Sequence, residues 1–329
     1  MDPYALGLTR RSSALIAAGI SEWALRDEAW DKPFRGIARP AGISLERTDA
    51  RVVDAVALMT SGCVLGGWAS RNLQGTLYSD GIDRYGREQD ILITMGQDTQ
   101  LRKRPGIRPS ERRLHRNEVV EFAGVPVTTL ARSAYDDMLD ASNIAEAVVV
   151  AEMTASLVTG GARTTLQGVQ GIVDAHKKTR GIVQVRQALE RVSERSGSPW
   201  ETRLRIFAED EAGISGWLIN IPIFDHWGHL LGIADLLEPA TGLVLESDGA
   251  GHREEMQHSD DNLREEKLEN AGLVVGRVSA VDHRHPQRLT QRLCAAHTAA
   301  KVNERARLWT LDQPAWWHTW EPGRRYRTP

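Results

Sequence analysis

Cys63 and Cys294 are the only cysteines in a chain of 329 residues. Two thiols cannot build a disulfide framework or a cysteine-based zinc site, so both read as small buried groups. Long apolar runs are missing as well. None approaches the roughly 18 residues a membrane span needs. The start, Met1-Asp-Pro-Tyr, has neither the basic nor the apolar region of a signal peptide. A cytoplasmic protein without a membrane partner is therefore expected. No excess of one charge sign stands out, since 41 Lys and Arg against 44 Asp and Glu leave a net charge of -3. Any binding of nucleic acid must come from how charge is distributed over each domain.

Several catalytic signatures are absent too. The pairs Gly66-Gly67 and Gly160-Gly161 lack the Lys-Ser/Thr context of a phosphate-binding loop. There is no Gly-x-Ser-x-Gly elbow, and no dinucleotide fingerprint follows a strand. His226, His229, His258, His283 and His285 have no cysteine partners at metal-ligand spacing, so they are assigned to surface and loops.

What is present is length for two or three domains and a stretch with acids inside strands. Ile233-Ala-Asp-Leu-Leu and Leu243-Val-Leu-Glu-Ser-Asp-Gly flank the turn-like Glu238-Pro-Ala-Thr-Gly and read as a β-hairpin. Side chains two apart share a face of a strand, so Glu246 and Asp248 point the same way, and pairing brings Asp235 alongside. This arrangement predicts a divalent-metal pocket.

From the N-terminus, residues 8–40 predict a helix, a turn at Gly19-Ile-Ser, a second helix from Ser21 and a short strand pair over Trp30 to Pro40. Helix, turn, helix and wing is a DNA-binding order. The second helix carries three acids against Arg26, however, which also suits a small packing domain of the same shape. Helices are expected over Arg51 to Thr60 and Gly66 to Gly75, and a buried strand at Asp90-Ile-Leu-Ile-Thr. The strongest basic cluster follows: Arg102-Lys103-Arg104, Arg108, Arg112-Arg113 and Arg116. It reads either as a solvated loop and edge strand or as a phosphate-binding surface.

A strand from Phe122 then leads to a helix near Leu130 whose Tyr135, Met138 and Leu139 face the core. Ile144 to Leu157 predicts an apolar helix, and Leu166 to Ala175 and Val183 to Val192 predict a helix pair. At Ser198-Pro-Trp-Glu201, a serine cap, a proline in the first turn and a glutamate three residues on predict a helix start. Capping is also the plain explanation of Glu201. Trp217 to Ile223 reads as a strand, Asp260 to Gly272 as an exposed helix and Leu273 to Val278 as a strand. The resulting order is helix, three strands, helix, strand. Trp309, Trp316, Trp317 and Trp320 crowd the tail and read as anchors of the C-terminus rather than a base-stacking platform.

Ser198-Pro-Trp-Glu-Thr-Arg-Leu, Ala234-Asp-Leu, Leu245-Glu-Ser-Asp-Gly with His252, and Asn262-Leu-Arg to Ala271-Gly-Leu-Val-Val together resemble the PD-(D/E)XK nuclease fold. More narrowly they resemble a domain of unknown function related to very-short-patch-repair (Vsr-like) endonucleases. Residues 8–160 resemble the winged helix and following domain of AbiEi-type antitoxins from type IV toxin-antitoxin systems. These resemblances imply an α/β and α+β multidomain protein: a winged helix over 1–48, a middle α+β domain over 49–160, a helical connection over 161–197, a nuclease-like α/β core over 198–290, and a helix with a Trp-rich tail over 291–329.

The same resemblance implies residue roles. Asp235 and Glu246 match the metal-binding acids, Asp248 stands where the motif usually has lysine, His252 matches a histidine after the Asp-Gly turn, and Glu201 matches an acid on the first helix. Mg²⁺ or Mn²⁺ is the expected cofactor, because phosphodiester hydrolysis needs charge neutralisation and an activated water. His252 has the chemistry for proton transfer, and Lys267 is a candidate for the missing positive charge. Duplex DNA is the expected partner, held by Arg102, Lys103, Arg104, Arg108, Arg112 and Arg113, with a second copy of the chain or a partner toxin as further partners. A DNA-binding regulator or antitoxin-like protein with an inactive nuclease fold is the competing reading.

Overall fold

The computed structural model describes residues 3–43, 45–248 and 255–319. Contacts divide the chain into two compact units, 1–142 with 161–189, and 143–160 with 190–329. The fold is mixed α/β, and no helix among the described residues is long and apolar enough to cross a membrane.

The first unit opens with β1 (Arg10–Arg11), α1 (Ser12–Ala17), β2 (Trp30–Asp31) and β3 (Ile37–Pro40). These strands form a small antiparallel sheet in the order β1-β3-β2, packed on Leu15, Leu25 and Ala38. The predicted strand pair is present, with Trp30 opposite Pro40. The predicted second helix is not. Only a single 3-10 turn forms, over Ala24–Arg26, although the Ser21 hydroxyl accepts the Ala24 N–H as a cap would. Leu25 is buried while Trp23 is 79% exposed, so this segment lacks the apolar stripe that would hold a longer helix.

Next come α2 (Arg47–Leu58), β4 (Cys63–Leu65), α3 (Gly67–Leu73), β5 (Ile91–Met95), β6 (Ile107–Ser110), β7 (Val119–Phe122), β8 (Val125–Thr128) and α4 (Leu130–Asp140). Their sheet has the order β6-β5-β4-β8-β7 and mixes parallel with antiparallel pairs. Leu65, Ile91, Ile93, Ile107 and Val127 supply its core with Val52 and Trp68. Thr129 caps α4 by accepting the Arg132 N–H, and Tyr135 and Met138 are fully buried. After α5 (Ile144–Ala155), which belongs to the second unit, α6 (Leu166–Ala175) and α7 (Ile182–Leu189) return to the first.

The second unit continues with α8 (Pro199–Glu211), β9 (Leu218–Asp225), β10 (Leu230–Glu238), β11 (Leu243–Asp248), α9 (Glu255–Asn270), β12 (Val274–Ser279), α10 (Pro286–Lys301) and β13 (Trp309–Thr310). The expected succession of helix, three strands, helix and strand is therefore present. The sheet runs β12-β11-β10-β9-β13, antiparallel from β9 to β11 and parallel between β11 and β12. Leu236 and Leu245 pack with α8 and α10, while Val244 and Leu237 pack with Leu268 of α9. α5 joins this unit because Glu152, fully buried, accepts from Arg205 and Thr202 on α8. The tail is anchored. Trp309 is buried on β13, the Trp316 indole N–H donates to the Gly228 carbonyl, and Trp316 and Trp317 meet Phe224 edge-on. Trp320 lies outside the described residues.

Candidate metal centre

In the second unit the register carries the site. Leu236 pairs with Leu245, so the next position along places Asp235 beside Glu246. On the other side of β10, the pairs Ile219–Leu236 and Ile221–Ala234 bracket Asn220 and Asp235. Asn220, Asp235 and Glu246 thus form a row across three strands. Each acid is held in its own way. Asp235 Oδ2 accepts the Ser247 N–H at 2.7 Å, and Glu246 Oε2 accepts from Arg264 Nη2 at 2.5 Å.

Glu201 reaches the row from the first turn of α8. The Ser198 hydroxyl accepts the Glu201 N–H, as the capping pattern predicts. The glutamate side chain turns back further than a capping box requires and takes the Gly197 N–H at 2.7 Å and Asn220 Nδ2 at 2.6 Å. A Cβ on Gly197 would stand 3.1 Å from both carboxylate oxygens, so glycine makes that approach easy. Asn220 has a φ of 46°, in the left-handed region that asparagine tolerates better than most residues. Its amide also donates to the Arg195 carbonyl.

The electrostatic result is a raised proton affinity at Asp235. Burial pushes its carboxyl well above the ordinary carboxylate range, and the nearby charges of Glu246 and Glu201 push it further. The Ser247 N–H and Arg264 pull the other way without reversing the shift. Glu246 is 6% exposed and Glu201 9% exposed, so water does little to relieve the repulsion.

The structure therefore brings three of the five predicted site acids and bases together. Asp248 ends β11 opposite Ser279, half-buried. His252 lies outside the described residues. Lys267 is exposed, and Arg264, one turn earlier on α9, pairs with Glu246. Arg264 and Asn220 escaped sequence reasoning. Arg264 lies in the Asn262-Leu-Arg run that carried the family resemblance, and that was its only available signal.

The basic cluster of the first unit is split. Arg108 pairs with Asp140 at 2.5 Å, and Arg112 pairs with both Asp136 and Asp140. These two guanidiniums already face carboxylates of α4 and offer little to a phosphate. Arg113 contributes its carbonyl to Arg132. Arg102 and Arg104, by contrast, line a cavity.

A second group of potential metal ligands, which no sequence spacing suggests, is His115, Glu118 and His176, with ligand atoms within 4.8 Å of one another. Its geometry favours a structural lock. Glu118 accepts from Arg132 at 2.5 Å through one oxygen and approaches His176 Nε2 at 2.6 Å through the other. Arg132 Nη1 also lies 3.2 Å from His176 Nε2, so a guanidinium already supplies the positive charge beside the ligand atoms. Burial pushes the Glu118 carboxyl up, but the His115 N–H, His176 and Arg132 outweigh it and leave it below the ordinary range. Neither a scan of the chain against protein-family models nor a search of the curated proteins returns a match.

Proposed function

We propose that this chain is a metal-dependent endonuclease that hydrolyses phosphodiester bonds in DNA, with a restriction-endonuclease-like core in the second unit and a DNA-contacting first unit. The observation that carries this reading is the convergence of Glu201, Asp235 and Glu246, which leaves Asp235 difficult to ionise. Buried like charges are unfavourable unless a cation joins them, and carboxylate oxygens are the donors that Mg²⁺ and Mn²⁺ prefer. The donor set thus fits the ion. Asp235 and Glu246 are its proposed ligands. When bound, such an ion neutralises the phosphate and makes a water acidic enough to attack.

The chain's own residues prepare the site. The Ser247 N–H fixes the Asp235 carboxylate, while Gly197 and Asn220 hold Glu201 toward the same point. Arg264, which pairs with Glu246, is the proposed substitute for the usual lysine, whose position Asp248 takes, and a guanidinium suits phosphate oxygens. That same ion pair supports the competing reading, a DNA-binding regulator or antitoxin-like protein. Arg264 bound to Glu246 gives the acids partial compensation without metal. A supercoiled-plasmid cleavage assay with Mg²⁺ or Mn²⁺ separates the two readings. The nuclease requires metal-dependent nicking that disappears in Asp235→Ala and Glu246→Ala, whereas activity unchanged in both variants would sink it.

A further inference from the structure

Four arginines of the first unit line one cavity of about 460 Å³: Arg11, Arg35, Arg102 and Arg104. They come from the junction of β1 and α1, the segment leading into β3, and the loop after β5. No acidic side chain is among the lining residues, whereas Ser12 and Ser13 add hydroxyl groups. Several other arginines of this unit face carboxylates: Arg39 with Asp31 and Asp54, Arg71 with Asp137, Arg108 and Arg112 with Asp140. Among the described residues these four do not. Arg11 instead donates to the Leu58 carbonyl at 2.7 Å, and Arg104 lies over the Phe34 ring at 5.9 Å.

Like charges brought together from distant parts of the chain repel one another, and an anion between them relieves that repulsion. Guanidinium forks with hydroxyl groups match phosphate oxygens in geometry as well as sign. We infer that this cavity is a phosphate-binding groove for the backbone of duplex DNA, with Arg35, Arg102 and Arg104 contacting phosphates and Arg11 anchored as its floor. Lys103, between two lining arginines but not itself among them, is outside the groove, and so are Arg108, Arg112 and Arg113. The choice of DNA as the source of phosphate rests on the endonuclease reading. The anion chemistry does not.

The test is fluorescence anisotropy with a labelled duplex in EDTA, over a series of KCl concentrations, on full-length protein carrying Asp235→Ala so that cleavage plays no part. Each backbone phosphate contact contributes about 0.9 to the slope of log K against log salt. The triple variant Arg35→Ala, Arg102→Ala, Arg104→Ala is expected to weaken binding by at least about tenfold at low salt and to flatten the slope by about 2 to 3. Lys103→Ala is expected to leave the slope within about 0.5 of its parent. An unchanged affinity and slope in a triple variant that melts like its parent would overturn the groove. Inorganic phosphate and a nucleoside triphosphate serve as competitors. Displacement of duplex only at millimolar levels supports the polymer, and tight triphosphate binding without duplex binding would overturn it. Because no metal and no catalysis enter the measurement, a failed cleavage assay and a failed groove remain separate results.

Discussion

Two buried carboxylate clusters, one around Glu118 in the first unit and one around Asp235 in the second, shift in opposite directions. In the first, Glu118 and Asp136 flank Arg132, whose guanidinium donates to both, and His115 and His176 complete the coordination of Glu118. With Arg112 pairing Asp136 as well, charge is matched there, and Glu118 ionises more readily than a free glutamate. In the second, Glu201, Asp235 and Glu246 lie close together, Arg264 pairs with Glu246, and Asp235 ionises less readily than a free aspartate. Matched burial marks a group that holds the fold together. Buried negative charge of the second kind is what the proposed cation would neutralise.

The comparison breaks most visibly at Arg132. Replacing it with methionine leaves Glu118 buried without its guanidinium and Asp136 with Arg112 alone, and a loss of about 3–5 kcal/mol in urea unfolding is expected. A loss below about 1 kcal/mol would mean that the histidines and Arg112 compensate these acids without it. Arg264→Met is expected to destabilise the metal-free protein less, by about 1.5–3 kcal/mol, the range for hydrogen bonds to charged groups. Added Mg²⁺ should recover part of that loss, because it supplies the missing charge, whereas it should recover none of the Arg132→Met loss.

Asp235→Asn sharpens the contrast with the smallest effect and the opposite sign. It removes a repelled charge while keeping an acceptor for the Ser247 N–H, so a gain of about 1 kcal/mol, or about 2–4 °C in melting temperature, is expected at neutral pH. A carboxyl with a raised folded-state pKa stabilises the fold fully below its unfolded value near 3.9 and loses that contribution as pH rises through the folded value. The advantage of the variant should therefore vanish below about pH 4 and grow upward. Glu118, with a depressed pKa, behaves in reverse: its contribution is present above about pH 4.3 and falls away as acid protonates it. Melting curves of Asp235→Asn and Glu118→Gln across pH would reveal this opposition, and parallel profiles would contradict it.

Much of the second unit was legible in the sequence because its signals are local. Ser198-Pro-Trp-Glu predicts the start of α8, and the turn at Glu238 to Gly242 sets the β10–β11 register that puts Asp235 beside Glu246. Partners contributed from elsewhere were not legible. Arg264 reaches Glu246 from a helix 18 residues away, and Asn220 meets Glu201 from a strand 19 residues away. The basic cluster misled for the same reason: Asp136 and Asp140, which neutralise Arg112, arrive 24 and 28 residues later on α4. His176 joins Glu118 across 58 residues, a pairing no spacing rule anticipates. The shortened second N-terminal helix is a different case. Its cap is correct, but cap and propensity cannot extend a helix whose apolar side chains find little to pack against.

The most direct test of the excess-charge site is calorimetric titration of Mn²⁺ into the full-length wild type, Asp235→Asn and Glu246→Gln. A single-site isotherm is predicted for the wild type, weakened by at least about tenfold, or about 1.4 kcal/mol, in each variant. Equal binding in all three proteins, or none in the wild type, would contradict it.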